Sequence, residues 1–429
     1  MAIGIGGMVG GGIFAVLGTA VDLARGGTPL AFALAGLIAL LTAHSYARLS
    51  ARFPSAGGTV SFLDRAFGVD LWTGAVNLLL WFSYLVTIAL YASAFGAYGS
   101  RLVDPDPSPT LRHLLVSLAI VGPVAINLLN AEIVSRTEIY VVVAKLAILL
   151  VVAVAGMGSV DTARLSLEAW PAFPQILTGG MVIFVAYEGF ELIANAAEDA
   201  RDPKRSLPRA FYGSVVFVIA LYVALSLVTV GSLPGPALEA AEEYALAAAA
   251  RPALGALGFT MVGVAALLST FSAVNATIYG NGRLAFVLAK EGELPEVFER
   301  RIWCRPVGAV VATGLLALLL ANLLDVTEIA VIASAGFLLI FTAVNLAAWK
   351  LSRELGGLPG VPILSALASG SALVLLLIHA NRENPLALAM IGASFAACLL
   401  AELAYQRISG RTFSLTHAPR PIPDRTPRP

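Results

Sequence analysis

Charge is what this 429-residue chain has least of: Asp, Glu, Lys and Arg make up 13% of it, against 58% hydrophobic residues. A soluble chain carries about a quarter charged residues, so this one has too few to cover a water-facing protein of its length. Mean hydropathy is +0.85, and the chain reads as a polytopic membrane protein. Cysteine is almost missing. Cys304 and Cys398 lie far apart, which excludes a disulfide framework and a cysteine metal cluster. Histidine is sparse as well, and His44, His113, His379 and His417 are scattered between loops, tail and helix ends. With no metal-spaced cluster and no nucleophile beside a base, neither an enzyme nor a cofactor is implied. The 27 basic residues balance 27 acidic ones, so composition gives no sign of nucleic-acid binding. Nothing basic precedes Arg25, which argues against a signal peptide and keeps the first apolar segment in the mature protein.

What is there is apolar runs of about 20 residues, the length of a membrane-crossing helix. Twelve are expected, the first over Met1–Val21, the sixth over Gln175–Ala197 and a long eighth over Leu254–Leu288. With the N-terminus inside, 20 Lys and Arg fall in inner loops and tail and six in outer loops, the bias expected if both termini are cytoplasmic. Trp72, Trp170, Trp303 and Trp349 fall near helix ends, where tryptophan anchors at the interface. Leu238–Ala250 is helix-prone but too short to span, and an external surface helix is expected there. A transmembrane domain over 1–406 is followed by a polar, proline-rich stretch over 407–429, expected to be a disordered cytoplasmic tail.

Two of the twelve spans carry residues a membrane helix tolerates poorly. Gly4–Gly12 holds six glycines in nine residues, each costing a helix interior about 1 kcal/mol relative to alanine. A broken helix is therefore expected. In hydrocarbon, freed backbone groups must face protein, a water-filled cavity or a ligand. Close packing at Gly6/Gly10 and Gly7/Gly11 competes with that reading but needs only one small residue in four. Few residues precede the run, so either the first half-helix is short or the chain starts upstream of Met1. The sixth span reads Phe184-Val185-Ala186-Tyr187-Glu188-Gly189-Phe190-Glu191, two acids and a glycine in mid-membrane. A charged residue there costs something like 3 kcal/mol, so these acids face a cavity or serve as buried structural acids. The broken helices are the first and the sixth, so each opens a group of five. That pattern is expected of an inverted repeat with a substrate site between its halves, over 1–158 and 174–352, followed by two further helices over 362–406.

Four blocks then look like the amino acid, polyamine and organocation permease superfamily: Gly10-Gly11-Gly12-Ile13-Phe14; Phe53-Pro54-Ser55-Ala56-Gly57-Gly58; Phe184–Phe190 with Glu198-Asp199, Asp202-Pro203 and Leu207-Pro208-Arg209-Ala210; and Asn275–Pro295 with Arg283. The resemblance implies an all-α fold with a five-plus-five inverted repeat, discontinuous helices 1 and 6, and two added helices. It implies a permease of the plasma membrane that carries amino acids by alternating access. By the family pattern, N–H groups of Gly10, Gly11 and Gly12 hold the substrate carboxylate, and carbonyls around Met8, Val185 and Glu188 accept the ammonium. Phe184 and Tyr187 are candidates for an aromatic gate or pocket, with simple packing as the alternative. Where many relatives have an apolar residue, this chain has Glu188. Lys145, the one basic residue inside a span, falls on a lysine found in proton-coupled branches, though a lysine so placed also snorkels. Ser269 and Thr270 are alternative sodium ligands, but a neighbouring lysine would repel that ion, so proton coupling is the expectation, with sodium symport and exchange as alternatives. A transporter-like sensor is the reading from another class. Arg101–Arg112 has no cysteine, so no covalently linked accessory subunit is expected.

Overall fold

The structure, a computed structural model, describes residues 1–55, 57–129, 131–291, 294, 307–356 and 359–409, and among them it is helical with no strand. Two short helices, α1 (Ala2–Met8) and α2 (Gly12–Ala24), make the first interrupted unit. A turn at Arg25, φ 45°, leads into α3 (Thr28–Arg52). Helix α4 (Gly58–Phe67) is short and precedes α5 (Leu71–Val103), whose start is capped by the Asp70 side chain accepting from Thr73 N–H at 2.9 Å. Next come α6 (Pro109–Leu129) and α7 (Ala131–Gly156). The second interrupted unit is α8 (Phe173–Val182), a 3-10 turn over Ile183–Tyr187 and the single-turn α9 (Leu192–Asn195). It is followed by α10 (Pro203–Ser232), α11 (Gly235–Glu239) and α12 (Ala245–Glu291), the last kinked at Gly255. The remaining helices are α13 (Val307–Leu323), α14 (Val326–Lys350), α15 (Ser352–Leu355), α16 (Gly360–Glu383) and α17 (Pro385–Ser409).

Ten stretches among the described residues are long and apolar enough to cross a membrane, and one of them, Gly12–Arg52, contains both α2 and α3. Those two run in opposite directions. Met1 O accepts from Ser214 Oγ at 3.2 Å, and His44 meets Tyr212 Oη at 2.6 Å, so the start of α1 and the end of α3 lie beside the same turns of α10. Dividing that stretch at Arg25, and adding the 17-residue α13, gives the twelve crossings read from the sequence. The chain is thus an all-α, multi-pass integral membrane protein.

Helix α5 is the post at the centre: 89% of its apolar window is buried, against 28% for α6 and for α17. The difference is what an apolar environment imposes. Peripheral helices keep apolar residues outward to meet lipid, so burial, not hydropathy, separates centre from rim. Trp72, 69% exposed, and the exposed Trp349 sit near helix ends, and Trp170 donates to Leu165 O at 3.1 Å; Trp303 lies outside the described residues.

The expected external surface helix over Leu238–Ala250 is corrected by the structure. The stretch is divided among α11, a 3-10 turn at Glu242–Tyr244 and the start of α12. Leu238 and Ala245 are buried against Val21 at the end of α2 and Val230 at the end of α10. Alanines fit so close a contact, and the segment plugs the end of α2 instead of lying on the surface. Helix α17 continues to Ser409, and the expected tail beyond it, 410–429, lies outside the described residues. So do Ala56 and Pro295 of the blocks named above.

Candidate binding site at the two helix breaks

At the first break the backbone carbonyls meet donors, whereas the amides beyond Gly10 do not; the Gly10 N–H, expected from the sequence to hold a carboxylate, is turned instead to Gly7 O. Lys145 Nζ on α7 donates to Gly6 O at 3.1 Å, and the Tyr222 hydroxyl on α10 donates to Met8 O at 2.6 Å. Ser269 Oγ on α12 lies 2.7 Å from Val9 O and also contacts Gly10 O. Gly7 O is met by Gly10 N–H at 3.1 Å. In contrast, the N–H groups of Gly11, Gly12, Ile13 and Phe14, at the start of α2, have no hydrogen-bond partner among the described residues, and all four residues are buried. A buried amide without a partner costs about 1–3 kcal/mol. Four of them converging on a helix N-terminus, where the dipole is positive, make a place for an anionic group.

The second break is arranged the other way. Ser334 Oγ on α14 donates to Val182 O at 2.7 Å and accepts from Val185 N–H at 3.0 Å. Glu188 N–H reaches Val185 O at 3.1 Å, and Gly189 N–H donates to Glu191 Oε2 at 2.8 Å. Gly189 sits at φ 114°, a conformation side chains resist. Here the amides of Val185, Glu188 and Gly189 are met, and two carboxyl groups remain. Glu188 is 3% exposed and Glu191 1%, with the Tyr91 hydroxyl donating to Glu188 Oε2 at 2.9 Å and the Tyr84 hydroxyl to Glu191 Oε1 at 3.1 Å. The two carboxyls lie close enough to influence each other. Among the described residues no Lys, Arg or His forms an ion pair with either. A buried pair of this kind calls for a positive charge, a proton or a ligand cation.

The breaks cross at glycines. A Cβ on Gly7 would lie 2.9 Å from Gly189 O, one on Gly189 2.6 Å from Gly7 C, and one on Gly12 2.7 Å from Ala186 Cα. Close packing and the break are therefore not alternatives: the same run serves both. A Cβ on Gly11 would run into the ring of Tyr91, so Tyr91 spans from the first break to the Glu188 carboxyl of the second.

Of the residues expected from sequence, Met8, Gly10, Gly11, Gly12, Val185 and Glu188 lie at the crossing, and Lys145 braces it from α7 at 1% exposure. Phe184 and Tyr187 pack beside it. The Phe184 ring lies 5.9 Å from that of Phe341, and the Tyr187 ring lies 5.2 Å from that of Tyr222 while its hydroxyl donates to Phe32 O at 2.8 Å. Ser269 is on the break, whereas Thr270 turns back to Ala266 O of its own helix at 2.7 Å. Sequence reasoning missed Tyr84, Tyr91, Tyr222 and Ser334. A signal existed for two of them: Tyr84, Tyr91 and Tyr98 recur every seventh residue, which puts them on one face of α5.

Two interrupted helices crossing at their breaks, one offering amides and the other carboxyls, match the arrangement in which transporters place a ligand site. The sequence comparisons decide the family: the amino acid permease model matches residues 1–405. The chain belongs to the amino acid permease family. Among its relatives, the inner membrane transport protein YbaT of Escherichia coli is 34% identical over 379 residues, 88% of this chain and 87% of that one. The cationic amino acid transporter 9, chloroplastic, of Arabidopsis thaliana is 30% identical over 70% of this chain and 55% of its own length. The methylthioribose transporter of Bacillus subtilis is 27% identical over 85% and 84%. This permease is a membrane transporter.

Proposed function

We propose that the permease carries α-amino acids across the plasma membrane by alternating access, with both termini in the cytoplasm, and that a proton moves with the substrate through Lys145. The observation that carries the reading is the set of four buried, unpartnered amides at the start of α2. They fit a carboxylate, and glycine at Gly11 and Gly12 lets it approach the backbone. The family's name supports the amino acid, and the two halves 1–158 and 174–352 are the units that would rock against each other.

Lys145 ties α7 to the last turn of α1 through Gly6 O. An ammonium holds that bond as a donor; a neutral amine holds it more weakly. Proton loss would loosen α1 from α7, and a proton would thereby bias one state over the other.

The test is uptake of a mixed labelled amino acid pool into proteoliposomes, with and without an inside-alkaline pH gradient. Saturable uptake that rises with the gradient, and no longer responds in Lys145→Ala, supports the reading. Uptake indifferent to pH but restored by internal amino acid makes the protein an exchanger, dependence on sodium makes it a sodium symporter, and binding without flux makes it a sensor.

A further inference from the structure

We infer that Glu188 holds the substrate's α-ammonium with its side-chain carboxylate, and that Tyr91 occupies that carboxylate until the substrate arrives. The inference rests on the amino acid reading above and goes beyond it to the residue that selects for an amine.

The argument is an account of acceptors. A primary ammonium brings three donors and needs oxygens for them. Around the first break, Lys145 donates to Gly6 O and Tyr222 to Met8 O, the single Ser269 hydroxyl proton is shared between Val9 O and Gly10 O, and Gly7 O meets a backbone amide. Around the second, Val185 O is met by Glu188 N–H and Ala186 O lies 3.2 Å from the Tyr222 hydroxyl. Glu188 O has no partner among the described residues. The Glu188 carboxyl has a donor in Tyr91 and lies near Glu191, with no cation paired to it among the described residues. Among the described residues, Glu188 thus offers both a carbonyl without a partner and a carboxyl group that no cation meets.

Tyr91 supplies the geometry. Its ring packs against the Cα of Gly11, beside the amides where the carboxylate would sit, and its hydroxyl covers Glu188, where the ammonium would sit. The hydroxyl takes the place of the ammonium, and a ligand bridging the two points must displace it from Glu188. The exchange is favourable in kind: the hydroxyl brings a donor but no charge, whereas the ammonium brings donors together with the positive charge that a buried carboxylate calls for.

The experiment uses the purified full-length protein in detergent and starts from thermal stabilisation by each of the twenty amino acids. The best of them is compared with its 2-hydroxy acid, in which a hydroxyl replaces the ammonium. In wild type the amino acid binds at least about 30-fold more tightly than the hydroxy acid. In Glu188→Gln the amino acid weakens by about 30-fold while the hydroxy acid changes less than threefold, so the discrimination collapses; Glu188→Asp restores part of it. In Tyr91→Phe, which removes the competing hydroxyl and keeps the ring, the amino acid binds about threefold more tightly and the hydroxy acid is unchanged. The inference is overturned if Glu188→Gln keeps the wild-type discrimination. If that variant does not fold, Tyr91→Phe decides, and equal shifts for both ligands, or none, overturn it. Should no amino acid stabilise the wild type, the amino acid reading itself fails, a different outcome from loss of this residue's role.

Discussion

The two breaks are built from the same materials and end with opposite polarity. At the first, hydroxyl and ammonium groups from α7, α10 and α12 cover the carbonyls, and the amides of Gly11 to Phe14 stay open. At the second, Ser334 covers the Val185 amide and Glu191 the Gly189 amide, and two carboxyls stay behind. A broken helix leaves both donors and acceptors unmet; which of them the neighbouring helices satisfy decides what the break can bind. The difference teaches that glycine makes a break and side chains from other helices give it its sign.

The comparison breaks most completely where the two backbones touch. Gly12→Val puts a branched side chain where a Cβ already falls 2.7 Å from Ala186 Cα, and it should abolish uptake, a loss of at least about 100-fold, with a lower melting temperature. Gly189→Ala adds strain at φ 114° to a contact with Gly7 C and should do nearly as much, read in the same two assays. A smaller effect is expected from uncovering one carbonyl of the first break. Tyr222→Phe leaves Met8 O without its donor, and uptake should fall about tenfold, equivalent to about 1.4 kcal/mol. Sharpening the contrast on the other side, Ser334→Ala uncovers Val182 O and Val185 N–H. It should lower the melting temperature by a few degrees while carboxylate binding at the first break changes about twofold or less. The smallest effect is expected of Phe184→Leu, a packing change beside the site costing about 1.5 kcal/mol or less and leaving substrate preference as it was.

Much of the fold was legible because a membrane makes backbone satisfaction compulsory. Six glycines in Gly4–Gly12 and a glycine between Glu188 and Glu191 cannot continue a helix in hydrocarbon without a reason, so both breaks could be placed from the sequence. The residues that give the breaks their sign were harder to see. Tyr222 and Ser334 sit in otherwise ordinary apolar spans, and nothing local distinguishes a hydroxyl that reaches a distant carbonyl from one that bonds its own helix, as Thr270 does. Leu238–Ala250 misled for a related reason. Its alanines look like a helix that would lie outside, and only the packing against Val21 and Val230 shows that it closes over the end of α2.

The most direct test of this opposite polarity takes one amino acid that stabilises the purified protein and compares it with the amine left when its carboxyl group is removed. The amides of Gly11 to Phe14 have nothing to grip in the amine, so the account predicts that the amino acid raises the melting temperature and the amine, at the same concentration, leaves it unchanged. Equal stabilisation by both would contradict it, because the open amides of the first break would then have no part in binding.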